Sequence, residues 1–275
     1  MNTNPCNRGL FASAWGPGLG LLLLLSSACA TPNSPAPPAT ELDQEPPRLL
    51  NAFFGLDEAL PERARLLCRA APGRDGMPVT FSRRVTSMAP DDFVVITQSG
   101  ARKTPLCATL RPANEASEGH TVLLIGDLGS AQDPPARVDV VGDLLLEADG
   151  HARGLTVDVT PLEAGPTLVL AIAYAAGMIG SDCPQATRQI VQVTWAGGVQ
   201  PAQGAAPDAH RTMYRVLTDS STVIPTALGD LHDNDNYVHL CLTTPIPASE
   251  VRAQAGVLVD PRGDLNPFTS VAVSR

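Results

Sequence analysis

Met77-Pro78-Val79-Thr80-Phe81-Ser82-Arg83-Arg84-Val85 is echoed 114 residues later by Val191-Gln192-Val193-Thr194-Trp195-Ala196-Gly197-Gly198-Val199. Met77, Val79 and Phe81 alternate with polar or small residues, and so do Val191, Val193 and Trp195. Successive side chains of a strand point to opposite faces, so each stretch reads as a β-strand with one apolar face turned inward. Phe81 and Trp195 are then equivalent core residues rather than aromatics that face a ligand.

The echo extends outward at the same offset. Gly142 meets Gly256, Leu144 meets Leu258, and Val157 and Val159 meet Val271 and Val273. Cys68 meets Cys183 at 115, and Phe93-Val94-Val95 meets Tyr214-Arg215-Val216 at 121. An offset that drifts and then returns marks loop insertions and deletions between two copies of one fold. The copies span residues 47–160 and 166–275, with the boundary at Pro161–Pro166.

Strands are expected at 49–54, 77–85, 93–97, 104–110, 121–127, 137–144 and 155–160 in the first copy. The second copy places them at 167–174, 190–195, 213–218, 222–228, 237–243, 251–258 and 268–273. Gly, Pro, Asn and Asp clusters separate them. Only Asp57–Arg69 reads as a helix, with Pro61 near its start. Seven short strands in each half make the fold all-β, two tandem β-sandwiches.

The first copy carries a Pro-initiated first strand at Pro47, the run Val79-Thr80-Phe81-Ser82-Arg83-Arg84-Val85, and then Asp91-Asp92-Phe93-Val94-Val95. An acidic-Gly turn precedes the last strand at Asp149-Gly150, and Asp260-Pro261-Arg262-Gly263-Asp264 holds the matching place in the second copy. This pattern resembles bacterial Ig-like domains of the adhesin and surface-layer type. The resemblance covers 47–160; the second copy departs from it, with Trp195-Ala196 where Phe-Ser is usual. It implies an Ig-like sandwich in each half and a structural or adhesive role, and it says little about a ligand.

The 275-residue chain is 44% hydrophobic and 17% charged, enough apolar residue to build buried cores and too little charge for disorder. Its net charge is −9, with Lys103 its single lysine, and aromatics are 4%. Neither a basic footprint nor stacking platforms for nucleic acid are present, so no nucleic-acid partner is expected.

Residues 1–28 read as an export signal: Arg8, a largely apolar stretch from Leu10 to Leu25 broken by Gly16-Pro17-Gly18, then Ser26-Ser27-Ala28. A permanent span needs about 20 apolar residues, so a transmembrane helix is the weaker reading. Leu25-Ser26-Ser27-Ala28-Cys29 resembles a bacterial lipoprotein signal, which makes Cys29 the lipidated residue, although Ser26 stands where Leu is usual. The rival is ordinary cleavage after Ala28-Cys29-Ala30. Residues 29–46 are Pro-rich, from Thr31-Pro32 to Pro46, and read as an extended tether. The expected location is extracytoplasmic, lipid-anchored to the bacterial cell envelope at the outer membrane.

Cys68, Cys107, Cys183 and Cys241 remain in the exported chain, and four cysteines there suggest two disulfides. Three pairings are open. Cys68–Cys107 with Cys183–Cys241 is the expectation, since each pair closes a loop inside one repeat. No CxxC or paired Cys/His spacing supports a metal centre of the zinc type.

Catalytic signatures are missing. The five histidines, His120, His151, His210, His232 and His239, form no HExxH, and no Gly-x-Ser-x-Gly elbow occurs. The protein therefore reads as non-enzymatic, with no cofactor required. The acidic turn Asp230-Leu231-His232-Asp233-Asn234-Asp235-Asn236 is the most suggestive local feature. Calcium takes six to eight oxygens, and this turn, together with Asp260 and Asp264, is the candidate metal set: Asp230, Asp233, Asp235, Asp260 and Asp264. The bland account is a solvated turn whose Asp and Asn bond their own backbone. Arg262-Gly263-Asp264 is explained by the acidic-Gly turn alone. The composite reading is an envelope lipoprotein with a structural, adhesive or binding role toward a protein or glycan. The alternative is a calcium-dependent ligand- or glycan-binding module.

Overall fold

The structure is a computed structural model in which residues 45–113, 115–231 and 235–275 are described. Cys29, the export signal and most of the tether lie outside the described residues. The chain is all-β and sandwich-like. Eight strands of the first half form one sheet: β1 (Leu49–Phe53), β2 (Asp75–Phe81), β3 (Phe93–Thr97), β4 (Arg102–Lys103), β5 (Cys107–Thr109), β6 (Thr121–Gly126), β7 (Pro135–Val140) and β8 (Thr156–Thr160). Eight strands of the second half form two four-stranded sheets: β9 (Leu168–Ala175), β10 (Gln189–Trp195), β11 (Tyr214–Thr218), β12 (Thr222–Val223), β13 (Ala227–Gly229), β14 (Tyr237–Leu242), β15 (Ala248–Ala253) and β16 (Thr269–Ala272).

The halves share one strand order. The first runs β4-β3-β7-β8-β1-β2-β6-β5, and the second consists of β9-β10-β14-β13 and β12-β11-β15-β16. In the first half the two sets of four are joined by parallel pairing of β1 with β8, Ala52↔Val159 and Phe53↔Thr160. In the second the corresponding link is a single parallel bridge, Ile172↔Ser274.

The register repeats as well. On β1 and β2, Leu49 faces Phe81, Asn51 faces Thr80 and Ala52 faces Val79, with a slip between Leu49 and Asn51. On β9 and β10, Leu168 faces Trp195, Leu170 faces Thr194 and Ala171 faces Val193, with a slip between Leu168 and Leu170. A one-residue error in register would turn every core side chain of a strand outward, so a matching register with a matching slip places equivalent residues in equivalent cores. Phe81 and Trp195 are both fully buried. Each sits in the hydrophobic cluster of its own half, the first built from residues between Leu49 and Leu162, the second from residues between Leu168 and Leu258.

Several local expectations change, among them the strand expected at 77–85, which ends at Phe81. The helix at Asp57–Arg69 is a single 3-10 turn, Glu62–Leu66, with Pro61 as its N-cap. Only Ala64 of that turn is buried and Leu66 is exposed, so no apolar stripe exists to hold a longer helix. The expected strand 222–228 is divided into β12 and β13. In the same way the expected strand 104–110 is cut back to β5, with β4 a separate short strand before it. The chain crosses from one set of strands to the other there, β4 pairing with β3 and β5 with β6, and Pro105, which has no N–H to donate, lies in the crossing.

The disulfides are Cys68–Cys107 and Cys183–Cys241. They use the same rung of the fold from opposite sides. Cys107 of β5 faces Ile125 of β6, whereas Ala227 of β13 faces Cys241 of β14.

Candidate cation site at the junction of the two halves

A strand with one solvated face alternates buried and exposed positions. β10 and β14 do not: every residue of both is buried. Val191, Val193 and Trp195 of β10, with Val238, Leu240 and Leu242 of β14, fill their own core. The opposite face carries Gln192, Thr194, Tyr237 and His239, and from it Gln192 and Tyr237 bond to the first half.

That packing is polar at its centre. The Tyr237 hydroxyl donates to the Glu118 carbonyl, accepts the His120 N–H at 3.2 Å and lies 3.2 Å from Thr121 Oγ1. Burial pushes the Tyr237 hydroxyl far above its ordinary range, so it stays a donor. Asn236 Nδ2 donates to Thr121 Oγ1 at 3.1 Å and to the Trp195 carbonyl at 2.6 Å. Gln192 Nε2 donates to Ser117 Oγ at 3.1 Å and sits 3.0 Å from His239 Nε2. An amide nitrogen only donates, so His239 Nε2 accepts and Nδ1 carries the proton toward Ser181 Oγ at 3.0 Å. At the margin, Leu50 of β1 packs against Leu170, Ile172 and Tyr174 of β9. Gly197 comes so close to the first half that a Cβ there would stand 2.8 Å from the Phe53 ring.

Beside this junction the β5–β6 loop of the first half meets the β13–β14 loop of the second. These are equivalent loops of the repeat, and both are acidic. Glu115, Glu118 and Asp230 each place a carboxylate oxygen within 4.8 Å of the others. Glu118 is fully buried. Its Oε2 accepts the Glu115 N–H at 2.9 Å, and its Oε1 is buried with no hydrogen-bond partner among the described residues. Burial raises the Glu118 carboxyl to about 9, aided by the charges of Asp235, Asp230 and Glu115 and opposed by the Glu115 N–H. Asp230 Oδ2 is 3.5 Å from His239 Nε2, and the Asp230 N–H is held by Asp182 Oδ1 at 2.8 Å. Among the described residues the group is made of carboxylate oxygens alone, a donor set that suits a hard cation rather than a transition metal.

Of the residues singled out in the sequence, Asp230 and Asp235 lie in this loop, and Asp233 lies outside the described residues. Asp235, Asp260 and Asp264 do not join the 4.8 Å group. Asp260 Oδ1 instead accepts the N–H groups of Arg262 and Asp264, both at 2.9 Å, closing its own turn. Burial raises the Asp260 carboxyl. Cys68, Cys107, Cys183 and Cys241 are all in disulfides. Glu115 and Glu118 were not singled out; the signal that finds them is the repeat itself, since their loop is the counterpart of the Asp230 loop.

Ser181, His239 and Asp230 are brought together, yet His239 is fully buried and its Nε2 is also engaged by Gln192. Here the imidazole ties strands together rather than facing a cleft. An open groove of about 320 Å³ lies elsewhere, lined by Phe54, Ser130, Pro135, Pro161 and Glu163 among others. Glu163 is its one titratable lining residue among those described.

No family model matches the chain, and no curated protein matches it. Among solved structures it is similar to the crystal structure of the N-terminal part of the bacterial S-layer protein SbsC, with a TM-score of 0.32 and 12% identity. The similarity covers 84% of this chain and 44% of that one, so the chain spans less than half the length of that structure. No helix among the described residues is long and apolar enough to cross a membrane.

Proposed function

We propose that this protein is a non-enzymatic module of the bacterial cell envelope, structural or adhesive in role, made of two Ig-like sandwiches on a lipid-anchored tether. The strand order of each half supports the Ig-like reading: one set of four and a second set, joined by first and last strands running parallel. The observation that carries the role is where the buried polar side chains go. Tyr237, Asn236, Gln192 and His239 are spent on joining the halves and their strands instead of lining a pocket. Such a junction makes a spacer of defined shape that presents an outer surface to a protein or glycan partner. The anchor is Cys29, in the outer membrane.

The test is fractionation of the full chain and its Cys29→Ala form. The wild type is expected in the detergent phase of envelope fractions and the variant in the soluble phase. A soluble wild type beginning at Thr31 would overturn the anchor. A pull-down from envelope fractions that recovers a protein or glycan bound to the outer surface supports the role; turnover of a substrate by the purified chain would overturn it. A second reading, a calcium-dependent ligand-binding module, is favoured by the carboxylates of Glu115, Glu118 and Asp230.

A further inference from the structure

We propose that Glu115, Glu118 and Asp230 bind one hard divalent cation of the calcium class, which links the first half of the protein to the second. Asp235, whose charge acts on Glu118, adds to the negative field of the site. The proposal deepens the calcium reading but does not need the adhesive role.

Three observations carry it. The first is spacing. Oxygens on opposite sides of a calcium ion, each at about 2.4 Å, stand about 4.8 Å apart. The three carboxylates lie within that limit of one another. The second is the state of Glu118. Its side chain is fully buried and, among the described residues, Oε1 meets no donor. Buried carboxylate oxygens without partners are costly, and native proteins supply them with a donor or a metal. The third is charge. Arg84 reaches the same loop at the Ala116 carbonyl, but its guanidinium is paired with Glu147 at 2.6 Å. A cation from solution supplies what that arginine, committed elsewhere, does not.

The ligands come from two loops more than a hundred residues apart in the chain, so the ion acts on the junction. Glu115 and Glu118 flank Ser117, which receives the Gln192 amide, and the Glu118 carbonyl receives the Tyr237 hydroxyl. Holding the two carboxylate groups together therefore holds the hydrogen bonds on either side. Carboxylate oxygens arranged this way, with water able to reach the exposed Glu115, favour calcium over magnesium, which demands a tight octahedron and keeps its own water.

The experiment titrates calcium chloride, and separately magnesium chloride, into the chelator-stripped full chain in detergent, read by calorimetry and by melting temperature. One saturable site is expected, with an affinity of about 0.1–1 mM, the range of extracellular modules. Melting temperature should rise with calcium. Glu118→Gln and Asp230→Asn should each weaken binding by at least the roughly 10–100-fold that losing even an outer partner of a metal costs. Glu115→Gln, at an exposed position, provides the same test should a buried variant fail to fold. Asp260→Asn, in the other acidic turn, should bind as the wild type does. Absence of heat and of any melting shift at millimolar calcium would overturn the site, as would unchanged binding in the three junction variants or its loss in Asp260→Asn. Magnesium binding as tight as calcium would overturn the ion class.

Discussion

Trp195 Nε1 donates to the Tyr214 hydroxyl at 3.1 Å, and the two rings meet at 6.3 Å and 61°. Phe81 and Phe93, at the matching positions of the first half, meet at 6.4 Å and 60°. A ring contact of nearly the same distance and tilt thus sits in both cores, apolar in one and with a hydrogen bond added in the other. Rings in this arrangement add about 0.5–1.5 kcal/mol beyond burial.

Trp195→Phe leaves the buried Tyr214 hydroxyl without its donor, which should cost about 1–3 kcal/mol beyond the lost ring volume. Trp195→Phe with Tyr214→Phe rebuilds the pair of the first half. The double variant should be less destabilised than the sum of the singles. Urea unfolding of the four proteins measures this coupling, and strict additivity would show that the hydrogen bond contributes nothing of its own.

The Glu118 carboxyl is held at about 9 in the folded protein against an ordinary value near 4.5. Between those values the folded state binds a proton that the unfolded state has lost. Cation-free protein should therefore lose stability as pH rises through this window, and Glu118→Gln should remove that slope. Urea midpoints at pH 5.5 and 8.5 in chelator, for wild type and variant, check the sign. A wild type whose pH slope equals that of the variant would contradict it.

Each disulfide closes a loop within its own half, across sequence separations of 39 and 58 residues. Replacing either pair with serine should lower stability by about 2–4 kcal/mol. Peptide mapping under non-reducing conditions should recover Cys68 with Cys107 and Cys183 with Cys241, and no cross-pair.

Residues 45–275 should unfold in one calorimetric transition, because the outer faces of β10 and β14 are buried by the other half. Residues 166–275 alone would expose Leu170, Ile172 and Tyr174. That fragment is expected to be less stable than the same residues in the whole chain, by thermal melting.

The fold was legible to an unusual degree. Period-two alternation at Met77–Phe81 and Val191–Trp195, carried along a restored offset, marks which residues share a core, and the pairing of Val79 with Ala52 and of Val193 with Ala171 follows that alignment. The junction was not legible. Gln192, Thr194 and Tyr237 occupy the alternate positions that ordinarily face water. Periodicity says which side chains share a face and not what covers the other one. The candidate site was half legible for the same reason. Asp230 stands in a visible acidic run, whereas Glu115 and Glu118 join it only once the two halves are packed.

The parallel pairing of β1 with β8 sets how the first half bears load. The chain enters at Leu49 and leaves at Thr160 along strands that run in the same direction, so force pulling those ends apart slides one strand past the other. The rungs Ala52↔Val159 and Phe53↔Thr160 are then strained together rather than peeled one at a time. The second half meets the same pull with the single bridge Ile172↔Ser274, a shorter ladder to shear.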